Sequence, residues 1–324
     1  MFALQKIISL GSGFVKTNIH NVFVLSAVNS PETIAKRNTW TSKPPVQLQL
    51  SYQHFAEPTV SVNTIPIIVL HGLLGSKTNW NSVCKALAKE NSRTVIAVDA
   101  RNHGESPHID DFSYEAMVCD VVCLLKELNF EKASFIGHSM GGRTVMLLAQ
   151  MHPELVHSMA IVDISPVGQS PNMTGLSKLL KQIKNLDLNH ELTLSEARKQ
   201  AAEKLSKLKL ESMLINFILT NLADNKPISN WRWKFNIQAI EEHFQTEICR
   251  FPILHTDVQT RTLFISGMNS DYVRPEDEPR IKKIFPKANF TYITGAGHWV
   301  HADKPQAFIQ TVSEFFKEEK HHYS

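Results

Sequence analysis

Beyond Pro44-Pro45 the chain alternates short apolar runs with amphipathic stretches. Val46-Gln-Leu-Gln-Leu-Ser-Tyr52 alternates at period two and predicts an edge strand with one face toward solvent. Ile65-Pro-Ile-Ile-Val-Leu70 is continuously apolar, the mark of a strand covered on both faces. A helix over 80–90, a strand over 94–98, a helix over 114–128 and a strand over 133–136 follow. A helix over 143–151 and an apolar strand over 159–164 complete this stretch. Such alternation predicts a mostly parallel sheet flanked by helices, an α/β architecture.

The rhythm then breaks. From about 168 to 250 the pattern is helical, with Lys-Leu-rich amphipathic stretches. Thr193, with Glu196 three residues on, forms a capping-box signature for a helix reaching Leu205. Trp231-Arg-Trp-Lys-Phe235 reads as a short extended piece. Alternation resumes with a strand over 262–266, a helix around 276–285, a strand over 289–293 and a last helix over 305–316. A helical block inside a parallel sheet is an insertion, and such insertions commonly cover an active site. The apolar positions Leu205, Leu208, Met213, Leu214, Phe217 and Ile218 are expected mainly to pack this cap, a subset lining an acyl pocket. Its lysines read as a solvated face, lipid contact being the alternative.

Composition narrows the class. The 324 residues are 43% hydrophobic and 20% charged, with formal net charge +3, too apolar for a disordered chain. No apolar run reaches the length of a membrane-spanning helix; the best, 22–28, is far too short. The small net charge argues against nucleic-acid binding driven by phosphate neutralisation. Lys6, Lys16, Lys36 and Arg37 face one acid, Glu32, in residues 1–40, so this segment holds the whole formal surplus. Basic, hydroxylated and poor in acids, it reads as a mitochondrial presequence ahead of a domain over 41–324. A secretory signal ending near Ala27 and a disordered tail are the alternatives. Cys84, Cys119, Cys123 and Cys249 are too few for a disulfide scaffold and read as buried thiols.

Candidate chemistry clusters at strand ends. Gly137-His138-Ser139-Met140-Gly141 stands where a buried strand becomes a helix. Gly-x-Ser-x-Gly makes a tight turn that presents a strained serine, and a Cβ at either glycine would strike the adjoining strand and helix. The pattern recurs by chance; its strand–turn–helix setting makes Ser139 the candidate nucleophile. His71-Gly72-Leu73-Leu74-Gly75 follows the 65–70 strand. Its Leu73 N–H, with the Met140 N–H, can hold an oxyanion. A phosphate loop over 72–78 is the alternative, but the Gly-Lys-Ser/Thr ending is missing. Gly295-Ala-Gly297-His298-Trp299-Val300-His301 follows the last strand. His298 fits the chain order serine, acid, histidine for a general base; His301 is expected to support the loop. Asp99 and Arg101 read as organisers of their own loop.

Together these elements resemble the serine α/β-hydrolase superfamily over residues 46 to 316, including Val98-Asp99-Ala-Arg101-Asn-His103-Gly104-Glu-Ser106. Val162-Asp163-Ile-Ser-Pro166, Gly267-Met-Asn-Ser270 and Gly297-His298-Trp299-Val300-His301-Ala-Asp-Lys-Pro305 look like the abhydrolase-domain-containing-eleven group of mitochondrial hydrolases and their bacterial esterase relatives. The resemblance implies an α/β-hydrolase fold with a helical cap. It implies hydrolysis of carboxylic esters, acyl thioesters or acylglycerols without metal or organic cofactor. In most of the superfamily the acid lies three residues past a glycine after the seventh strand; here that position is Ser270. Asp163, at the end of the strand beside the nucleophile strand, is favoured, as in the bacterial relatives. Asp271 is the alternative, with Ser270 as a hydrogen-bonding auxiliary. An acyltransferase on the same fold and a partner-binding module that stabilises a mitochondrial protein are the rival functions.

Overall fold

In this computed structural model residues 45–57, 64–168 and 173–317 are described, apart from positions 209, 211, 226, 228, 253, 255 and 256. The basic segment 1–40 lies outside the described residues. Nine strands occur among those described: β1 (Tyr52–Phe55), β2 (Ile67–Leu70), β3 (Val95–Val98), β4 (Ala133–His138), β5 (Val156–Val162), β6 (Leu222–Asn225), β7 (Ser229–Trp233), β8 (Arg261–Gly267) and β9 (Ala288–Ile293). Seven form one sheet in the order β1-β3-β2-β4-β5-β8-β9. β1 runs antiparallel to β3, and every other pairing is parallel.

The helices are α1 (Asn81–Asn91), α2 (Tyr114–Glu127), α3 (Met140–Met151), α4 (Met173–Lys184), α5 (Leu194–Ser206), α6 (Ser212–Leu219), α7 (Ile237–His243), α8 (Glu278–Ile284), α9 (Val300–Asp303) and α10 (Pro305–Lys317). Strand side chains alternate between two cores. Ile68, Leu70, Ile96, Val98, Phe135 and Ile161 pack with α2, α3 and α8. Ile67, Val69, Val95, Ala97, Ile136 and Val162 pack with α1 and α10 on the other face. Both faces being covered, the central strands are continuously apolar rather than alternating.

The first segment departs from expectation. Residues 46–51 are not a strand, and β1 begins only at Tyr52. The Val46 carbonyl accepts from Arg101 Nη2 at 2.7 Å, and the Leu48 N–H donates to Asp120 Oδ1 at 2.8 Å. The alternation there reflects Leu48 and Leu50 turning into the core while the backbone is tied to a buried ion pair. Of the cysteines, Cys84 and Cys249 are buried; Cys119 and Cys123 are half-buried, one side of α2 reaching the surface.

β5 and β8 are sheet neighbours, yet α4–α7 and the antiparallel pair β6/β7 lie between them in sequence. The Thr193–Glu196 capping box forms at the start of α5. This inserted cap has a small core of its own, Leu188, Ala197, Ala201, Leu222 and Trp231. Leu205 and Ile218 are buried, whereas Met213, read above as cap packing, is 59% exposed. From α3, Arg143 donates to the carbonyls of Gly168 and Ile248, close to the two ends of the insertion.

Candidate active site

Strand register assembles the site. Gly137 pairs with Leu70 on one side and with Ile161 on the other, and His138 pairs with Val162. Ser139, the next residue, donates its N–H to Val162 O at 3.0 Å. It has φ +51°, in a region costly for a residue with a Cβ, which turns its side chain out of the strand. The turn survives because the second residue of α3 has no side chain: a Cβ on Gly141 would meet Leu70 O at 2.5 Å and His71 O at 2.7 Å. The loop after β2 is equally close, since a Cβ on Gly72 would come within 3.2 Å of Ser139 Cβ.

Asp163 ends β5 one residue past Val162, fully buried and at φ +50°. Its N–H donates to Ile265 O at 2.9 Å. Oδ1 accepts from the Gly267 N–H at 3.3 Å, and Oδ2 accepts from Ser270 Oγ at 2.5 Å and from His298 Nδ1 at 2.7 Å. A carboxylate can only accept from the ring here, so Nδ1 carries the proton and Nε2 presents a lone pair. The carboxylate at the imidazole is thus Asp163, with Ser270 on the same oxygen, while Asp271 is half-buried in the loop beyond. Among the described residues neither Ser139 Oγ nor His298 Nε2 has a hydrogen-bond partner within the protein. The same holds for the Leu73 and Met140 N–H groups. These four groups are chemically able to serve as a nucleophile, a base and two donors.

Buried histidines hold the loops. His138 lies between the other elements: its Nε2 donates to His298 O at 2.9 Å, and its ring is 4.8 Å from that of His298. Burial, then the neighbouring His298 and His301, puts its pKa well below the ordinary value, so the ring is neutral. His71 Nδ1 donates to Gly72 O at 2.7 Å while Nε2 accepts from the Ala100 N–H at 3.0 Å. Burial lowers its pKa too. His301 is stacked on Trp80 at 3.9 Å, pushed down to about 3 by burial, and supports the loop from behind. Asp99 caps its own neighbourhood, accepting from the Lys77 and Glu105 N–H groups and pairing with Lys77 Nζ. Arg101 binds Asp120 and Asp111. Among the described residues no group of three or more His, Cys, Asp or Glu side chains could hold a metal ion. None of the described helices is long and apolar enough to cross a membrane.

A family model for the alpha/beta hydrolase fold matches residues 65–305, well over half of the chain. The chain belongs to this family. The hydrolase is 42% identical over 253 residues to the sn-1-specific diacylglycerol lipase ABHD11 of Mus musculus, covering 78% of this chain and 81% of the mouse protein. It is 32% identical to Esterase YbfF of Escherichia coli, over 79% of this chain and 94% of the bacterial one. Among solved structures, a marine microorganism esterase superposes with a TM-score of 0.71 at 36% identity, covering 83% of this chain and all of that one.

Tyr272 and Asn221 beside the candidate site left no mark in the sequence, whereas Phe217 was among the cap positions expected to pack the insertion or line an acyl pocket. Tyr272 stacks on the His298 imidazole with ring centroids 4.0 Å apart and planes 22° apart. Phe217 of the cap reaches Trp299, beside His298, at 5.7 Å. Asn221 of the cap donates to Leu74 O. No local pattern marks Tyr272 or Asn221, because each partner lies far away in sequence.

Proposed function

We propose that this carboxylic ester hydrolase cleaves acylglycerols of the diacylglycerol type by two-step acyl transfer from Ser139. The observation that carries the mechanism is the 2.7 Å hydrogen bond from His298 Nδ1 to buried Asp163, which leaves Nε2 unprotonated and able to act as a base. Ser139 Oγ attacks the ester carbonyl carbon and its proton passes to His298 Nε2. The Leu73 and Met140 N–H groups hold the oxygen that becomes negative. Asp163 keeps the proton on Nδ1 and stabilises the imidazolium. Collapse breaks the ester C–O bond, and His298 protonates the leaving alcohol. Water, deprotonated by the same nitrogen, then attacks the acyl-enzyme and releases the fatty acid. The acylglycerol assignment is supported by the likeness to a diacylglycerol lipase and by half-buried Leu214 and Phe217 of the cap, the latter against Trp299 beside His298.

Ser139→Ala is expected to cut turnover of p-nitrophenyl esters and diacylglycerol by about 10⁶-fold and to abolish fluorophosphonate labelling, without lowering the melting temperature. Retained labelling overturns the assignment. Products also discriminate: release of free acid supports hydrolysis, whereas preferential transfer to an added alcohol or thiol supports the acyltransferase. The basic segment 1–40 supports delivery to the mitochondrial matrix. A fusion of that segment to a fluorescent protein should enter mitochondria, and its secretion would favour the signal-peptide alternative.

A further inference from the structure

We propose that Asn221 is a positioning residue through which the cap fixes the oxyanion loop, an inference that rests on the reading of Leu73 and Met140 as oxyanion donors. The direction of the Leu73 N–H is set by the Gly72–Leu73 peptide. That peptide is planar and trans, so its N–H points away from its carbonyl. The Gly72 carbonyl is held from two sides, by His71 Nδ1 at 2.7 Å and by the Gly75 N–H at 2.9 Å. The second bond closes a four-residue turn, Gly72–Gly75, with Leu73 and Leu74 at its centre.

The turn needs Leu74 at φ +58°, a conformation a leucine rarely adopts. Two side chains hold it there. Asn221 Nδ2 donates to Leu74 O at 2.8 Å, and the Leu74 N–H donates to His103 Nε2 at 3.1 Å. Both lead back to the cap. Asn221 is itself buried, its N–H bonded to Ile218 O at the end of α6 and its carbonyl accepting from the Lys234 N–H just past β7. His103 forms an isolated antiparallel bridge with Phe235, and the Asn236 N–H donates to Asn102 O beside it. His103 Nδ1 donates to Arg101 O at 2.9 Å, so Nε2 is free to accept. Loss of the Asn221 donor lets Leu74 leave its strained conformation, opens the turn and swings the Leu73 N–H off its target.

The test uses the full chain with Asn221→Asp, which keeps shape but removes the donor, and Asn221→Leu, which removes polarity. A phenylboronic acid that adds to Ser139 serves as transition-state mimic. The kcat for p-nitrophenyl butyrate should fall at least about tenfold, short of the 10²–10³ expected for deleting a donor outright. KM should stay within about twofold, and the boronate Ki should rise by the same factor as kcat falls. A merely structural role would lower the melting temperature without this match between kcat and Ki. Folded variants with wild-type kcat and Ki, or with a change in KM alone, overturn the proposal. Should both variants fail to fold, Asn221→Ala, which removes the donor and asks nothing of the surrounding packing, reads the same tether: loss of kcat matched by Ki supports it, and unchanged values overturn it. Failure of the Ser139 reading looks different: Ser139→Ala then keeps ester turnover and boronate binding, and the tether falls with it.

Discussion

The sheet and the cap are held by different means, and the difference explains where the chemistry sits. In the sheet, β3, β2, β4, β5 and β8 pair in that order through hydrogen-bonded ladders and are almost wholly buried. Their carboxyl ends therefore occupy places set by register. Ser139 and Asp163 each follow directly on a strand, and His298 follows β9 after a short loop. The cap has a five-residue core of its own, shares the sheet's core through Leu180, Ile183, Ile218 and Phe244, and keeps several apolar residues half-exposed. It meets the loops at the sheet's carboxyl edge through individual contacts, among them Asn221 on Leu74, Asn236 on Asn102, the Phe235 bridge to His103, Arg232 on Glu105 and Phe217 on Trp299. A ladder fixes a reacting group; single contacts adjust it.

Substitutions can sharpen that contrast, the largest effects falling at the sheet edge. Asp163→Asn keeps the shape of the side chain but allows the wrong imidazole tautomer, and should cost about 10⁴ in kcat. Asp271→Asn should change kcat by less than about twofold, because a side chain that does not hold the imidazole contributes little to the reaction. A reversed result would move the acid off β5. Gly141→Ala places a Cβ against two backbone carbonyls that cannot move without parting β2 from α3. Urea unfolding should register a loss of about 3 kcal/mol.

The core also carries an acid sensitivity. His301 is neutral when folded, its pKa near 3 through burial, but takes up a proton below about pH 6.5 when unfolded. Unfolding then binds the extra proton, so stability present above pH 6.5 is lost as pH falls toward 3. His301→Phe keeps a ring against Trp80 and cannot titrate. Between pH 7 and pH 5 it should lose about 2 kcal/mol less stability than the wild type. The smallest effect is expected in the cap. Thr193→Ala removes the acceptor for the Glu196 N–H and should cost about 1 kcal/mol by thermal melting, leaving kcat unchanged. A large loss of turnover there would mean the cap is coupled to the site through more than its direct contacts.

Legibility followed the range of the interactions. Runs such as Ile67–Leu70 were readable because covering both faces leaves a local record in every residue. The turn at Ser139 was readable because close approach of strand and helix demands glycines at a fixed spacing. Segment 46–51 misled, since period two marks alternate burial whether or not a strand partner exists; its backbone is instead held by Arg101 and Asp120 from elsewhere. Asn221 and Tyr272 were invisible for the same reason, as one hydrogen bond or one stacked ring leaves no period in the chain.

Hydrophobic pattern and glycine spacing alone determined the α/β class, the place of the inserted cap, and the three loops bearing Ser139, His298 and the paired N–H groups. Only the tertiary structure decided which carboxylate meets His298. The loop sequence placed Ser270 and Asp271 one residue apart and favoured neither by periodicity. Sheet order settled the geometry: β5 lies between β4 and β8, so Asp163 ends beside both Ser139 and the Gly267 turn, while Ser270 turns inward to donate to it. Adjacency of strands separated by about a hundred residues is a property of the packed sheet, not of any local stretch of chain.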